Sequence, residues 1–289
     1  MYHHEPVLLK EVLEWLDVKE NKIYVDGTVG LGGHSSAILE ASKPSGILYG
    51  FEWNEDSFKI AKERLKKYKE RVKLYNKNFV YIKEILQKEN VLTDGVLLDL
   101  GISSFLLEGS KRGFSFQKSE PLDMRMNLSL KITAKDILNN YDFIKLSNVF
   151  KKGEVPRAEK FAKFICEKRK KKPFKLTQDL VEAVKEFYKT SKKNLLAIVF
   201  QSLRIEVNKE LENLETVLKD IPDILKPSGR IAIISFHSLE DRLVKNFFKN
   251  DPRIKVLTKK PITPSEEELK RNPRARSAKM RVGEKVNEQ

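Results

Sequence analysis

The chain has 289 residues, enough for one large or two modest domains, and 40% of them are hydrophobic, which is enough to build a core. Charged residues make up 34% and the formal net charge is +15, which favours a polyanionic partner, although solubility alone can also explain such an excess. One cysteine, Cys166, excludes an internal disulfide and cysteine-based zinc sites, and the lack of a signal peptide or a membrane-length apolar run predicts a cytoplasmic protein without a membrane partner.

Strands and helices alternate along the first hundred residues. The predicted strands cover residues 23–25, 46–51, 72–75 and 96–100, and the helices between them cover residues 34–41, 56–67 and 80–88. The fourth strand is almost entirely apolar, as a strand buried on both faces should be. This alternation predicts a parallel sheet with right-handed crossovers.

The alternation stops between about residues 105 and 193, where helical periodicity predominates. Helices are predicted over residues 157–169 and 177–188, the second capped by Thr177-Gln178-Asp179. One long amphipathic helix over 196–221, a turn at 227–229, a strand over 230–235, a helix over 239–249 and an edge strand over 254–257 follow. We therefore predict a doubly wound α/β domain formed by residues 1–104 and 194–289, interrupted after strand four by a helical insertion, 105–193.

A glycine-rich loop at residues 26–33 connects the first strand to the first helix. Glycines allow a tight turn and close approach of a ligand, although many such loops serve the backbone alone. Three acids, Asp26, Glu52 and Asp99, end strands one, two and four, so they should share one edge of the sheet. Carboxylates favour a cationic sulfonium over a pyrophosphate, which indicates S-adenosylmethionine rather than NAD.

Six blocks together resemble one protein family across nearly the whole chain. They are residues 26–35 (DGTVGLGGHS), 98–104 (LDLGISS), 112–116 (RGFSF) with 121–126 (PLDMRM), 200–208 (FQSLRIEVN), 235–242 (SFHSLEDR) and 272–277 (NPRARS). The family is the bacterial ribosomal RNA small-subunit methyltransferase H family, also called MraW. The resemblance implies a Rossmann-like class I methyltransferase core with an inserted helical domain that recognises RNA.

The same resemblance implies a reaction and a set of cofactor contacts. The reaction is S-adenosylmethionine-dependent methylation of the N4 amine of a cytidine in 16S ribosomal RNA near the decoding centre, with the RNA naked or, as we expect, in a 30S particle. By resemblance, the cofactor contacts are Gly32, Gly33 and His34, with Glu52 at the ribose and Phe79 and Asp99 beside the adenine. Asp26 joins them as the acid that opens the loop.

Three positions depart from the family pattern. Glu52 replaces the usual Asp, and the longer acid could still reach the ribose with a shifted geometry. Phe105 and Leu106 replace a usual Pro-Gln, so a polar cofactor contact is lost there or moved to the backbone. Residues 194–197 (NLLA) replace a usual His-Pro-Ala segment.

Candidate catalytic groups lie at the ends of strands four and five. The Asp99–Ser104 turn could accept hydrogen bonds from the target amine through its carbonyls and Ser103, or Asp99 could serve the cofactor alone. His237 could receive the released proton, or it could belong to a structural turn in which Ser238 caps the next helix. No metal is expected, because His3-His4-Glu5 lacks further ligands.

Two basic stretches are candidates for RNA contacts. Residues 145–175 hold twelve Lys or Arg against three Glu, peaking at Lys168, Arg169, Lys170, Lys171 and Lys172, although such runs are also found on solvated helix ends. The segment 270–281, with Arg274 and Arg276, could be a mobile basic arm. Arg112 and Phe114 could contact an unstacked base, or the aromatic residues here could belong to a core.

Other functions share parts of this pattern. A dinucleotide-dependent dehydrogenase shares the loop and Glu52 but lacks this glycine spacing. A non-enzymatic RNA-binding factor would not need a cofactor loop, and a methyltransferase acting on DNA or protein is disfavoured by the family resemblance alone.

Overall fold

The computed structural model describes residues 5–103 and 105–287. The chain divides into two compact units, one formed by residues 1–103 and 211–289 and the other by residues 104–210. The sequence predicted the second boundary at residue 193. Residues 194–210, which were expected in the α/β domain, therefore belong to the second unit. The His3-His4 pair and Ser104 lie outside the described residues.

The first unit contains all seven strands of the described chain. They are β1 (Ile23–Asp26), β2 (Ile47–Phe51), β3 (Val72–Tyr75), β4 (Thr93–Asp99), β5 (Leu225–Ser235), β6 (Ile254–Val256) and β7 (Lys279–Lys285). The helices of the whole described chain are α1 (Leu9–Trp15), α2 (Gly33–Ala41), α3 (Glu55–Leu65), α4 (Ile82–Lys88), α5 (Ala134–Asn140), α6 (Phe143–Lys152), α7 (Ala158–Lys171), α8 (Thr177–Tyr188), α9 (Lys193–Asn208), α10 (Glu210–Ile224), α11 (Ser238–Asn250) and α12 (Glu266–Arg271).

The strands form one sheet in the order β3-β2-β1-β4-β5-β7-β6. Strands β1 to β5 are parallel, and only β7 runs antiparallel to its neighbours β5 and β6. The chain moves outward from β1 through β2 to β3, then returns to pair β4 with the other side of β1. The sheet therefore has its topological switch point between β1 and β4, where ligands of open α/β sheets bind beyond the carboxyl ends of the strands.

Both faces of this sheet are covered by apolar side chains. Val25, Val96 and Ile233 face one core cluster, shared with α4, α10 and α11. Their strand neighbours Tyr24 and Leu97 face the opposite cluster, shared with α1, α2 and α3. Burial on both faces explains why these strands read as continuous apolar runs, and it confirms the predicted doubly wound α/β class.

The structure corrects three predicted elements of this region. The single helix predicted over residues 196–221 is two helices, α9 and α10, separated at Lys209, whose φ is +52°. The predicted turn at residues 227–229 lies inside β5, where residues 226–229 interrupt the register with β4, which shifts from Thr93–Leu225 to Gly95–Arg230. Strand β7 was missed because its sequence reads as part of a basic tail, although Met280 and Val282 are fully buried.

The second unit is helical and has a core of its own. Phe161 lies at its centre, with ring centroids of Phe150, Phe187 and Tyr188 within 4.9 to 5.3 Å. A capping box between Thr133 and Asp136 begins α5. The N-cap of α8 is Leu176 and not Thr177 as predicted, and the Asp179 carboxylate accepts the Leu176 N–H at 2.9 Å. In the described part of the chain, every helix is too short or too polar to span a bilayer.

Candidate functional site

The loop after β1 is shaped by its glycines. Gly30 and Gly32 have φ of +56° and +83°, in the left-handed region that other residues adopt at a cost. Gly27 is required by space, because a Cβ there would lie 2.4 Å from Leu98 Cδ2. A Cβ on Gly33 would lie 2.5 Å from Pro6 Cγ. The loop thus turns tightly at the switch point, and side chains at Gly27 and Gly33 would clash with their neighbours.

Asp26 ends β1 and is completely buried under this loop. Its Oδ1 accepts the Thr28 N–H at 3.0 Å, and its Oδ2 accepts the Ser35 hydroxyl at 2.6 Å. Burial raises the pKa of Asp26, while the Ser35 hydrogen bond and the nearby His34 oppose that rise. The side chain therefore braces the loop from within and places a carboxylate beneath it.

Glu52 follows β2 and connects two backbone segments. Its Oε2 accepts the Gly30 N–H at 2.7 Å, and its Oε1 accepts the Asn54 N–H at 2.7 Å. Burial raises the pKa of Glu52 to about 7, against the effect of these two hydrogen bonds. The Trp53 N–H is a third donor to this carboxylate, which has about four lone-pair sites and so can still accept from a ligand hydroxyl.

His34 and Asp99 face each other across the loop. The His34 Nε2 donates to the Val7 carbonyl at 2.8 Å, so in the neutral ring Nδ1 carries the lone pair. That Nδ1 lies 3.6 Å from Asp99 Oδ2. Burial lowers the pKa of His34 and raises the pKa of Asp99 to about 7. Near neutral pH, the Asp99 carboxyl is therefore protonated in about half of the molecules.

The turn after β4 packs closely against both neighbouring strand ends. The Asp99 N–H donates to Thr28 Oγ1 at 2.6 Å, and Asp99 Oδ1 accepts the Gly101 N–H at 3.2 Å. Gly101 leaves room for Phe236, since a Cβ there would lie 2.9 Å from Phe236 Cε2. Ser103 Oγ lies 3.4 Å from the Ser57 hydroxyl of α3.

Phe79 borders the other side of the loop. It begins a 3-10 turn, Phe79–Tyr81, and is partly buried. Its Cβ would be 3.3 Å from a Cβ on Gly27. The residues that the sequence assigned to the cofactor are therefore brought together: Asp26, Gly32, Gly33, His34, Glu52, Phe79 and Asp99 all lie on or beside this loop.

The turn after β5 contains His237, which caps α11. Its Nδ1 accepts the Glu240 N–H at 3.4 Å, so the capping residue is His237 and not Ser238 as predicted. The buried Nε2 lies 3.1 Å from Glu240 Oε1 but outside hydrogen-bonding geometry. A neutral imidazole that accepts at Nδ1 carries its proton at Nε2. This capping favours the structural alternative over a proton acceptor.

Four of the five cations at the peak of charge in the second unit contact acceptors within that unit. Lys168 pairs with Glu186, Lys170 with Glu167 at 2.9 Å and Lys172 with Asp179 at 2.8 Å. The Arg169 guanidinium donates to the Leu138 and Tyr141 carbonyls at 2.9 and 2.7 Å, which gives it a structural role. Lys170, Lys171 and Lys172 are exposed.

The remaining candidates for RNA contact differ in exposure. Phe114 is buried, which favours the core alternative for this ring. Arg112 is partly buried and donates to the Arg125 and Met126 carbonyls. Arg274 and Arg276 are exposed in a 3-10 segment, Pro273–Ser277.

The segment 270–281 is not the separate arm that its composition indicated. Arg281, on β7, is buried, and its guanidinium forms two hydrogen bonds with the Asp241 carboxylate, at 2.7 and 3.1 Å.

Sequence reasoning missed several side chains that shape this site. Thr28 and Ser35 lie inside the loop block, and their hydroxyls could have been recognised as partners for nearby acids. Val7 and Glu268 had no local signal, because they reach the loop only through long-range folding.

The glycine loop and the three acids Asp26, Glu52 and Asp99 lie together at the switch point of the sheet. A model of the MraW methylase family matches residues 1–286. The chain belongs to the MraW methylase family. It is 47% identical to a ribosomal RNA small subunit methyltransferase H from Dictyoglomus turgidum, over 98% of this chain and 97% of the relative. A relative of the same name from Kosmotoga olearia is 44% identical, again over 98% and 97%.

A solved structure from Clostridium thermocellum, assigned as a candidate rRNA methylase, is similar in fold. It aligns with a TM-score of 0.50 and 12% identity, over 98% of this chain and all of the other. As a member of the MraW methylase family, the chain is an S-adenosylmethionine-dependent methyltransferase, and the solved structure supports its Rossmann-like fold, as the resemblance predicted. The carboxylates around its loop favour the positive charge of such a donor.

Proposed function

We propose that this MraW methylase transfers a methyl group to the N4 amine of a cytidine in small-subunit ribosomal RNA, near the decoding centre and in a 30S particle. The observation that carries the proposal is the set of carboxylates, Asp26, Glu52 and Asp99, around the glycine loop at the switch point. The near full-length similarity to proteins named ribosomal RNA small subunit methyltransferase H supports the RNA substrate.

We assign the donor to the loop after β1. Bound there, S-adenosylmethionine supplies an electrophilic methyl group on a positively charged sulfur. The Gly32, Gly33 and His34 segment would contact it, and Glu52 would accept from its ribose hydroxyls with the lone pairs not used by Gly30, Trp53 and Asn54. Phe79 would border its base. The resemblance places Asp99 beside the adenine, and we propose in addition that its carboxylate, which faces His34 of the loop, favours the positive sulfur charge when it is ionised.

The turns after β4 and β5 would hold the target amine. The cytosine amine shares its lone pair with the ring, so an acceptor for its protons would help it to attack. Both Asp99 oxygens already face Gly101 and His34, which favours a cofactor role for Asp99 and leaves Ser103 and the turn carbonyls as the acceptor candidates. His237 caps α11, so we assign the released proton to solvent.

The catalytic assignment is tested with three variants under single-turnover conditions. Ser103→Ala should slow methylation without changing donor affinity, whereas Asp99→Asn should weaken donor binding. His237→Asn should keep both activity and stability, because Asn is a good N-cap. Loss of methylation in His237→Asn at normal stability and donor affinity would instead make His237 the proton acceptor.

We place RNA contacts on the exposed cations Lys170, Lys171 and Lys172 and on Arg274 and Arg276. Each cation that neutralises a phosphate releases counterions, so RNA affinity should fall steeply as salt increases. Arg112, Lys168 and Arg169 are only partly exposed and Phe114 is buried, so they are less suited to this role.

The RNA surface is tested by charge reversal. Lys171→Glu should weaken binding to small-subunit RNA and lower the slope of log affinity against log salt by about one. Lys219→Glu, an equal charge change at an exposed position of α10, is the matched control. Equal effects of both variants would assign the salt dependence to net charge alone. Mapping the methylated nucleotide by mass spectrometry tests the cytidine N4 position.

A further inference from the structure

The segment before α1 is fixed by a residue from the other end of the chain. Leu8 adopts a left-handed conformation, with φ of 54° and ψ of 35°. Its N–H donates to Glu268 Oε1 at 2.8 Å. Glu268 lies on α12 and is only 7% exposed. A second contact acts in the same place, because Asn272 Nδ2 donates to the Glu5 carbonyl at 3.2 Å.

The residue next to Leu8 holds the histidine of the glycine loop. The Val7 carbonyl accepts from His34 Nε2 at 2.8 Å, and a carbonyl oxygen can only accept. The proton of the neutral ring therefore stays on Nε2, and Nδ1 faces Asp99 Oδ2 at 3.6 Å. Pro6 packs where a side chain on Gly33 would be, so this segment also covers the start of α2.

We propose that Glu268 is a positioning residue of the methyl-donor site, which holds the Leu8 amide and thereby fixes the Val7 carbonyl and the tautomer of His34. The proposal rests on the assignment of His34 to the donor site. A buried carboxylate needs a hydrogen-bond donor, and a charge-assisted bond to a backbone amide is stronger than a neutral one. The negative charge also acts on the ring directly, since Glu268 opposes the burial-driven fall in the pKa of His34.

A pair of substitutions of similar size separates the hydrogen bond from the packing. Glu268→Gln keeps an acceptor oxygen for the Leu8 amide, whereas Glu268→Met fills the space without one. Ser265→Ala is the control, because Ser265 caps α12 through the Glu268 N–H and its loss destabilises the helix without removing the carboxylate.

Two measurements are made on the full chain. Correlation spectra of ¹⁵N-labelled histidine report the tautomer of His34, which is assigned with a His34→Ala sample among the four histidines. Titration calorimetry gives the dissociation constant of S-adenosylmethionine. We expect wild type, Glu268→Gln and Ser265→Ala to show the Nε2–H tautomer. Glu268→Met should show mixed tautomers and bind the donor about five-fold more weakly, as expected for one lost hydrogen bond.

The outcomes separate the positioning role of Glu268 from the assignment of His34 to the donor site. An unchanged tautomer and donor affinity in Glu268→Met would overturn the positioning role, and so would an equal loss of affinity in Ser265→Ala while His34 keeps the Nε2–H tautomer. If His34→Ala binds the donor as wild type does, the assignment of His34 to the donor site is wrong. A mixed tautomer in Glu268→Met would then still support the contact chain from Glu268 to His34.

Discussion

The raised pKa of Asp99 leads to a testable pH dependence of donor binding. Burial holds this pKa at about 7 in the ligand-free protein. A positively charged sulfur favours the ionised carboxylate. With a pKa of about 7, the ionised fraction of Asp99 rises from about one tenth at pH 6 to about nine tenths at pH 8. If only the ionised form binds the cation, the apparent affinity rises about ten-fold over this range.

The assay is titration calorimetry at pH 6 and pH 8 with two ligands. S-adenosylhomocysteine has the same amino-acid and ribose groups as S-adenosylmethionine but a neutral sulfur. The ratio of the two affinities therefore removes the titration of the ligand amine and of Glu52, whose pKa is also about 7. We expect the affinity for S-adenosylmethionine, divided by that for S-adenosylhomocysteine, to be about ten-fold higher at pH 8 than at pH 6. In Asp99→Asn the ratio should not depend on pH.

Two results would refute this reasoning. A ratio that stays constant with pH in the wild type would mean that Asp99 does not sense the sulfur charge. The same pH dependence in Asp99→Asn would assign the effect to another group, of which Asp26, buried under the same loop, is the first to test.

Three further predictions concern stability and the loop. The pKa of Asp99 is higher in the folded than in the unfolded protein, so its contribution to the free energy of unfolding is present at low pH and is lost as pH rises from about 4 to about 7. In urea unfolding, Asp99→Asn should therefore be more stable than wild type at pH 8, by up to about 4 kcal/mol, and nearly equal to it below pH 4. Gly32→Ala should lower the free energy of unfolding by about 1–2 kcal/mol because of its φ of +83°, whereas Gly32→Asn should cost less, since Asn tolerates this conformation; equal costs would argue against backbone strain. Arg281→Met leaves the Asp241 carboxylate without this partner and should cost about 3 kcal/mol in chemical denaturation, and the double variant with Asp241→Asn should recover part of that loss if the ion pair is the cause.

The predicted order of strands and helices agrees well with the structure where the pattern was strong. Strand β3 and helix α8 have the predicted bounds, and most of the other predicted elements differ by a few residues at their ends. The errors occur where local signals conflict. The apolar periodicity of residues 196–221 continues across Lys209, so no pattern of hydrophobic residues could reveal the break in the helix. Strand β7 was hidden by its charged residues, of which Arg281 is neutralised by a residue 40 positions away.

The sequence by itself determined the doubly wound class, the glycine loop and the three acids that end neighbouring strands. These features are local or periodic, and parallel strands necessarily bring their carboxyl ends to one edge. The tertiary structure alone decided which oxygen faces which donor, and therefore that Glu52 is bound to the loop amide and that Asp99 faces His34. It also decided the contact between Glu268 and Leu8, which are 260 residues apart in sequence and 2.8 Å apart in space. Burial sets the pKa values of these acids, and burial is a property of the packed chain, not of any segment of it.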